Sequence, residues 1–189
     1  MLEDIMRTST SSSTPCQWAS SSLRLSCRRY PGLAGCTAVV AVVNETHSRL
    51  TVANAGDSRA VLCRAGKAVA LSTDHKPSLD SERARIEAAG SRVQDGRVIT
   101  PGSFGGRLSV SRGLGDREHK LSSLALEKQA VTAEPEVMEV TLSDGDEFVL
   151  LACDGIWDVM TSQEAVEFVS AQVRTRDLSE PIDPCWPGY

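Results

Sequence analysis

Residues Thr37 to Leu71 read T-A-V-V-A-V-V-N-E-T-H-S-R-L-T-V-A-N-A-G-D-S-R-A-V-L-C-R-A-G-K-A-V-A-L. Thr37 to Val43 is a run of Val and Ala opened by Thr, suited to a buried strand. Leu50 to Asn54 is placed to return antiparallel to it across the polar turn Asn44-Glu45-Thr46-His47-Ser48. Ala60 to Cys63 and Lys67 to Leu71 read as a hairpin around Arg64-Ala65-Gly66. Further on, Val137 to Leu142 and Phe148 to Cys153 are expected to pair around Ser143-Asp144-Gly145-Asp146. Strands this short and this closely spaced favour antiparallel sheets over βαβ units.

Two helices accompany the strands. One is expected after Pro77, capped by Ser78 or Ser81 and stopped before Gly90, with Leu79, Ile86 and Ala89 on its apolar face and charges opposite. The other begins at Thr161-Ser162-Gln163-Glu164, a capping-box pattern. It carries Val166, Val169 and Val173 at near-helical spacing, with Ala165 and Phe168 alongside. Strands and helices that do not strictly alternate imply an α+β fold.

Composition agrees with a folded domain. The chain has 189 residues, 41% hydrophobic and 24% charged, which excludes a wholly disordered chain, a collagen or a coiled coil. Aromatics are only 4%, so Val, Leu, Ala and Ile must make the core. The net charge of −5 supplies no basic field, and no nucleic-acid partner is expected. The longest uncharged, mostly apolar run is Leu33 to Val43, short of the about 20 residues that span a membrane, so no membrane partner is expected either. The first thirty residues hold no apolar secretion core. The six cysteines contain no C-x-x-C pair. Free thiols in a reducing compartment, cytoplasm or nucleus, are the resulting expectation.

Four constellations bear chemistry. Asn54-Ala55-Gly56-Asp57-Ser58-Arg59-Ala60 follows a strand, where Gly-Asp can turn the chain and present a carboxylate; a plain turn explains it as well. Leu150-Leu151-Ala152-Cys153-Asp154-Gly155-Ile156-Trp157-Asp158 delivers Asp154 at a strand end. Gly155 is expected to allow a sharp bend, and Asp158 follows four residues later. Two carboxylates so placed suit a hard divalent cation, or cap the next segment. Thr73-Asp74-His75-Lys76-Pro77 offers His75 as an acid or base, although a structural loop histidine is favoured. The glycines and arginines of Gly105 to Asp116 suit a phosphate cradle or a turn before a strand equally well.

Taken in order, G-C-T-A at Gly35 to Ala38, N-A-G-D-S-R-A, T-D-H-K-P with E-x-x-R-I and A-A-G, R-L-S-V-S-R-G-L-G-D, A-E-P-E-V and L-L-A-C-D-G-I-W-D-V resemble the type-2C, metal-dependent protein serine/threonine phosphatases. The resemblance runs from about Gly35 to Val173. It implies an antiparallel β-sandwich flanked by helices, incomplete relative to the family domain. It divides the chain into a Ser-rich segment (1–34), a partial phosphatase-like domain (35–178) and a Pro-rich tail (179–189). It also implies Mg²⁺ or Mn²⁺ as cofactor and a phosphoprotein substrate, acted on by a monomer. In the family a water bridging two such ions attacks the phosphorus.

By matching motif position, the resemblance assigns Asp154 to the paired metals, and Asp57 and Asp158 to a third, weaker one. Arg107, Arg112 and Asp116 match no ligand and are expected to be structural. The family's D-G-H-G-G motif, its upstream phosphate-binding Arg and acidic ligand, and its closing D-N motif have no match here. One surviving carboxylate cannot hold two dications tightly. A shortened chain with little or no turnover and exposed apolar sheet faces is therefore expected. The alternative is a non-catalytic, phosphatase-like protein-binding module.

Overall fold

Strand alternation sorts residues 38–71 onto two faces, and that sorting builds the molecule. The computed structural model describes residues 34–103, 106–120 and 123–175. The Ser-rich stretch through residue 33 and the Pro-rich stretch 179–189 lie outside the described residues. In chain order the strands are β1 (Gly35–Cys36), β2 (Ala38–Asn44), β3 (Arg49–Ala55), β4 (Arg59–Arg64) and β5 (Lys67–Ala70). After helix α1 (Asp80–Ala88) come β6 (Arg92–Gln94), β7 (Arg97–Ile99), β8 (Leu114–Gly115), β9 (Glu136–Thr141) and β10 (Asp146–Ala152). Helices α2 (Asp154–Trp157) and α3 (Ser162–Thr175) follow.

Two three-stranded antiparallel sheets, ordered β2-β3-β9 and β10-β4-β5, meet face to face. Leu50 and Val52 of β3 pack on Ala60 and Leu62 of β4 and on Leu71, all at most 1% exposed. Val39, Ala41, Val140 and Val149 close the rim of this cluster. The other face of the second sheet, Val61 and Cys63, buries Ala165 and Val166 of α3 and Trp157. The α+β expectation and the sandwich both hold, and the hairpins 38–55 and 59–70 form as read.

The expected hairpin of Val137–Leu142 with Phe148–Cys153 does not form. β9 pairs with β3 (Leu50 opposite Val140), while β10 pairs with β4 in the other sheet. The short link therefore crosses between sheets. Charge and backbone pairing hold the crossover: Arg64 Nε donates to Asp146 Oδ1 at 2.6 Å, and the Leu142 amide donates to the Ser48 carbonyl at 2.7 Å. Apolar Val140 and Val149 still reach the same inter-sheet core, so the alternation was legible and the partner was not.

Helix α1 also departs from expectation. Leu79 occupies its N-cap without a side-chain hydrogen bond, so neither Ser78 nor Ser81 caps it. Its buried face holds Ile86 but also Glu82, and Leu79 is exposed. Ile86 and Ala89 pack with Val98, Ala130 and Val131 in a third cluster, beside the unforeseen hairpin β6-β7. The R-L-S-V-S-R segment is not a strand; it makes isolated bridges from Leu108 to Val98 and from Arg112 to Thr132. The capping box of α3 forms: Glu164 Oε2 accepts from the Thr161 amide at 2.8 Å, and the Glu164 amide donates to Thr161 Oγ1 at 3.2 Å. Its stripe divides, with Ala165 and Val166 buried while Phe168 and Val173 are exposed.

Val40 and Val42, on the outer face of the first sheet, are 49% and 40% exposed. Leu62→Ala is expected to lower the unfolding free energy by about 2–5 kcal/mol, because it opens a cavity between two sheets. Val42→Ser on the open face should change it by no more than about 0.5 kcal/mol. Urea denaturation of both variants checks the contrast.

Candidate functional site

The Gly-Asp turn after β3 starts the site. Gly56 has φ +128°, and a β-carbon there would lie 2.3 Å from Thr37 Cγ2, so only glycine fits against β2's entry. Thr37 Oγ1 and Ser58 Oγ share a hydrogen bond of 2.7 Å across the same contact. The turn buries Asp57 to 5% exposure instead of presenting it freely. Its Oδ2 accepts from Lys76 Nζ at 2.5 Å.

Arg59, the first residue of β4, ties four segments together. Its Nε and Nη2 donate to the two carboxylate oxygens of Asp74 at 2.9 and 2.8 Å, a bidentate fork. Its Nη1 donates to Ser162 Oγ at 3.1 Å, at the start of α3. Its guanidinium carbon lies 5.1 Å from the centroid of the Trp157 ring. Trp157 in turn donates from Nε1 to the Ala152 carbonyl at 2.7 Å, which holds α2 against the end of β10.

Asp154 opens α2 and Asp158 closes it, both exposed. Gly155 lies within the helical turn and needs no positive φ, so the sharp bend expected there is a short helix instead. Asp158 borders a shallow depression of about 530 Å³, with Arg59, Trp157, Met160 and Ser162 among its walls. The Asp74 hydrogen bond outweighs burial and, with the charges of Asp74 and Asp158, holds Arg59 above its ordinary pKa. Burial acts against the Lys76 charge, but the Asp57 hydrogen bond and the charges of Asp57, Asp158 and Asp74 together raise its pKa.

Asp57 and Asp158 thus share one neighbourhood through Lys76. Among the described residues, however, no three His, Cys, Asp or Glu side chains cluster closely enough to hold a metal ion. The expected set of Asp154, Asp57 and Asp158 does not form a closed coordination sphere by itself. The donors within these segments do not fit a metal pair.

Behind the turn stands a buried polar network that sequence reading missed. Glu82, 3% exposed, accepts from Arg85 Nη2 at 2.5 Å, Arg112 Nη2 at 2.8 Å and Ser111 Oγ at 2.5 Å. Burial alone would raise its pKa, but the hydrogen bonds from Arg112 and Ser111 and the two guanidinium charges bring it down to about 2. Arg112 Nη1 reaches the Glu134 carbonyl at 3.1 Å, and Arg85 Nη1 donates to the carbonyls of Gln129 and Ala130. The signal available was E-x-x-R at helical i,i+3 spacing, which sets both groups on one face.

Ser111 extends the network by donating from its amide to the His75 carbonyl at 3.0 Å. His75, 2% exposed, accepts from the Gly56 amide at Nδ1 (3.2 Å), and its Nε2 lies 3.3 Å from the Glu136 carboxylate. Burial, then the Arg112 charge, push its pKa down, so the ring is neutral at pH 7. His75 thus lies buried inside this network. Arg112 belongs to the same network, while exposed Arg107 donates to Asp95 at 2.8 Å and to the Gln94 carbonyl at 3.3 Å. Asp116 packs where a β-carbon on Gly35 would be 2.0 Å from its Oδ2, joining the G-C-T-A and G-L-G-D segments.

The family model for protein phosphatase 2C matches residues 1–183. The chain belongs to the protein phosphatase 2C family. It is 54% identical over 136 residues to "Protein phosphatase 2C homolog 3" of Schizosaccharomyces pombe, covering 72% of this chain and 31% of that one. It is 48% identical over 141 residues to "Probable protein phosphatase 2C 11" of Oryza sativa subsp. japonica, covering 74% of this chain and 37% of that one. The chain therefore spans about a third of the length of these curated relatives. Among solved structures, a C. elegans sex determining protein superposes with a TM-score of 0.73 at 26% identity, over 89% of this chain and 41% of that one. A phosphatase from a pathogenic strain of Toxoplasma gondii gives 0.55 at 32% identity, over 67% of this chain and 38% of that one. The protein phosphatase 2C fold is thus present as an antiparallel sandwich, partial relative to the family domain.

Glu82→Gln is expected to destabilise the chain by about 3–5 kcal/mol, because it leaves two buried guanidiniums short of their counter-charge. The Glu82 pKa is depressed from 4.5 to about 2, so its contribution is complete above pH 4.5 and is lost as pH falls toward 2. The gap between wild type and variant should therefore narrow over that window in urea titrations. Wild-type stability should begin to fall below pH 6.5, where the unfolded chain takes up protons that buried His75 and His119 resist.

Proposed function

We propose that this chain carries part of the apparatus of a protein serine/threonine phosphatase, which hydrolyses phosphoserine and phosphothreonine esters in protein substrates with Mg²⁺ or Mn²⁺. The observation that carries the reading is the placement of the family's two acidic motifs beside each other. The turn at Asp57 and the helix Asp154–Trp157 are joined through Arg59, Asp74 and Trp157. Asp154, Asp57 and Asp158 are the residues assigned to cations. A bound dication would acidify a water and offset phosphate charge.

The chain's own residues account for the framework of this chemistry. Gly56 and Thr37 set the turn, Arg59 holds the two acidic segments in register, and the His75–Ser111–Glu82 network holds the turn from behind. The donors available in these segments are too few for two dications. Little or no turnover by this chain alone follows from that shortage. The same shortage supports a second reading, in which the sandwich binds partner proteins without catalysis.

Phosphate release from a phosphothreonine peptide, measured across a Mn²⁺ titration, tests the proposal with this chain and Asp154→Ala. Both folded proteins are expected to release almost no phosphate. Release that saturates with Mn²⁺ and disappears in Asp154→Ala would overturn the expected inactivity and make the short chain a working enzyme.

A further inference from the structure

The outer strands of the two sandwich sheets are β5, β9, β10 and β2, and among the described residues each pairs on one side only. The free side of β5 meets Gln163 of α3: the Ala68 amide donates to its Oε1 at 2.9 Å, and its Nε2 donates to the Gly66 carbonyl at 3.0 Å. β9 carries Glu136 and Glu139, and β10 opens on Asp146 and Glu147. Edge charges and side chains laid across an edge are what keep strands from adding to strands. β2 has neither. It reads A-V-V-A-V-V-N over Ala38–Asn44, without charge or proline, and only β3 pairs with it among the described residues.

The strand that complements β2 is β2 itself. Val39-Val40-Ala41-Val42-Val43 reads the same in both directions. Two antiparallel copies related by a two-fold axis at Ala41 therefore set valine opposite valine. Val39 faces Val43 of the second copy, and Val40 faces Val42 of the second copy. Opposed residues of an antiparallel pair share a face. Val39 and Ala41 belong to the rim of the inter-sheet core, while Val40 and Val42 lie on the outer face, 49% and 40% exposed. This register keeps the two sets apart. It also brings a valine against Val43, which is 55% exposed at the end of the strand. A slip of one residue would oppose core-facing and outward valines. A slip of two would set Asn44 or Ala38 against a valine.

We propose that β2 is a homodimer interface, in which a second copy of this chain adds antiparallel to its free edge about a two-fold axis at Ala41. The two sheets β2-β3-β9 then run on as one continuous sheet. Cross-strand pairs of β-branched residues favour the contact. The two-fold uses up the edge on both copies, so the assembly closes at a dimer. The inference is independent of the phosphatase reading and departs from the monomer that the family resemblance implies.

Sedimentation equilibrium of the full chain at rising concentration tests it. The wild type is expected to pass from monomer to dimer with no larger species. Val40→Lys and Val42→Glu alter side chains on the open face, so each monomer should keep its fold, as circular dichroism checks. Each change should weaken the dimer about tenfold or more, because a charge is desolvated against valine. Both changes in one chain should restore dimerisation, since the two-fold then sets each introduced ammonium opposite an introduced carboxylate. Where a charge prevents folding, Ala41→Cys decides: the residue meets its own copy across the axis at disulfide distance, and mild oxidation should yield a covalent dimer beyond the wild-type background. A wild type that stays monomeric up to about 100 μM would overturn the proposal, leaving the edge to be capped from within the chain or by a different protein. Dimers untouched by the single changes, double variants without rescue, growth past the dimer, or an Ala41→Cys chain that does not cross-link would overturn it as well.

Discussion

Glu82 must stay ionised while almost wholly out of water, and much of the chain is arranged to make that possible. A carboxylate in that position is tolerated only when its oxygens are taken up by donors. Arg85 supplies one from the next turn of α1, and the neighbouring Ser111 and Arg112 supply the others from a distant segment. The same three residues then spend their remaining donors on carbonyls of His75, Ser111, Gln129, Ala130 and Glu134. One buried charge thus fastens the helix-and-hairpin layer to the sandwich. It also reaches the Gly-Asp turn, since His75 links Ser111 to Gly56.

The site edge works by a different balance. Asp57 is buried, Asp74 partly buried, and Asp154 and Asp158 exposed, with the Arg59 guanidinium paired to Asp74 and the Lys76 ammonium to Asp57. Arg59 is chosen for geometry as much as charge: its planar fork matches Asp74 while its face covers Trp157. Lysine at that position would keep the charge and lose both the second hydrogen bond and the stacking. At residue 76 a flexible stem carries a compact ammonium to a single carboxylate oxygen of Asp57.

The sandwich itself is asymmetric. One sheet is covered on both faces, by its partner sheet and by α3 with Trp157. The other leaves Val40 and Val42 in the open, and α3 leaves Phe168 and Val173 so. The apolar alternation of β2 was written for two covered faces, and among the described residues only one is covered. The chain shares its fold with proteins more than twice its length.

Local patterns in the sequence determined a good deal. Val-rich alternation predicted six of the strands, turn chemistry predicted two hairpins, and Thr161 with Glu164 predicted where α3 begins, because each depends on residues close in the chain. Gly56 was legible as a turn residue, though not the reason for it, which is the close approach of Thr37. Tertiary structure decided the rest. It sent β9 and β10 to different sheets, since a four-residue link permits a hairpin or a crossover and only side-chain packing and the Arg64–Asp146 pair choose. It turned Glu82 inward on a helix whose charges were expected to face water. It also gave Asp57 a lysine 19 residues away as its partner. Pairings between charged groups depend on where the whole backbone brings them, and no period or spacing along one strand or helix encodes that.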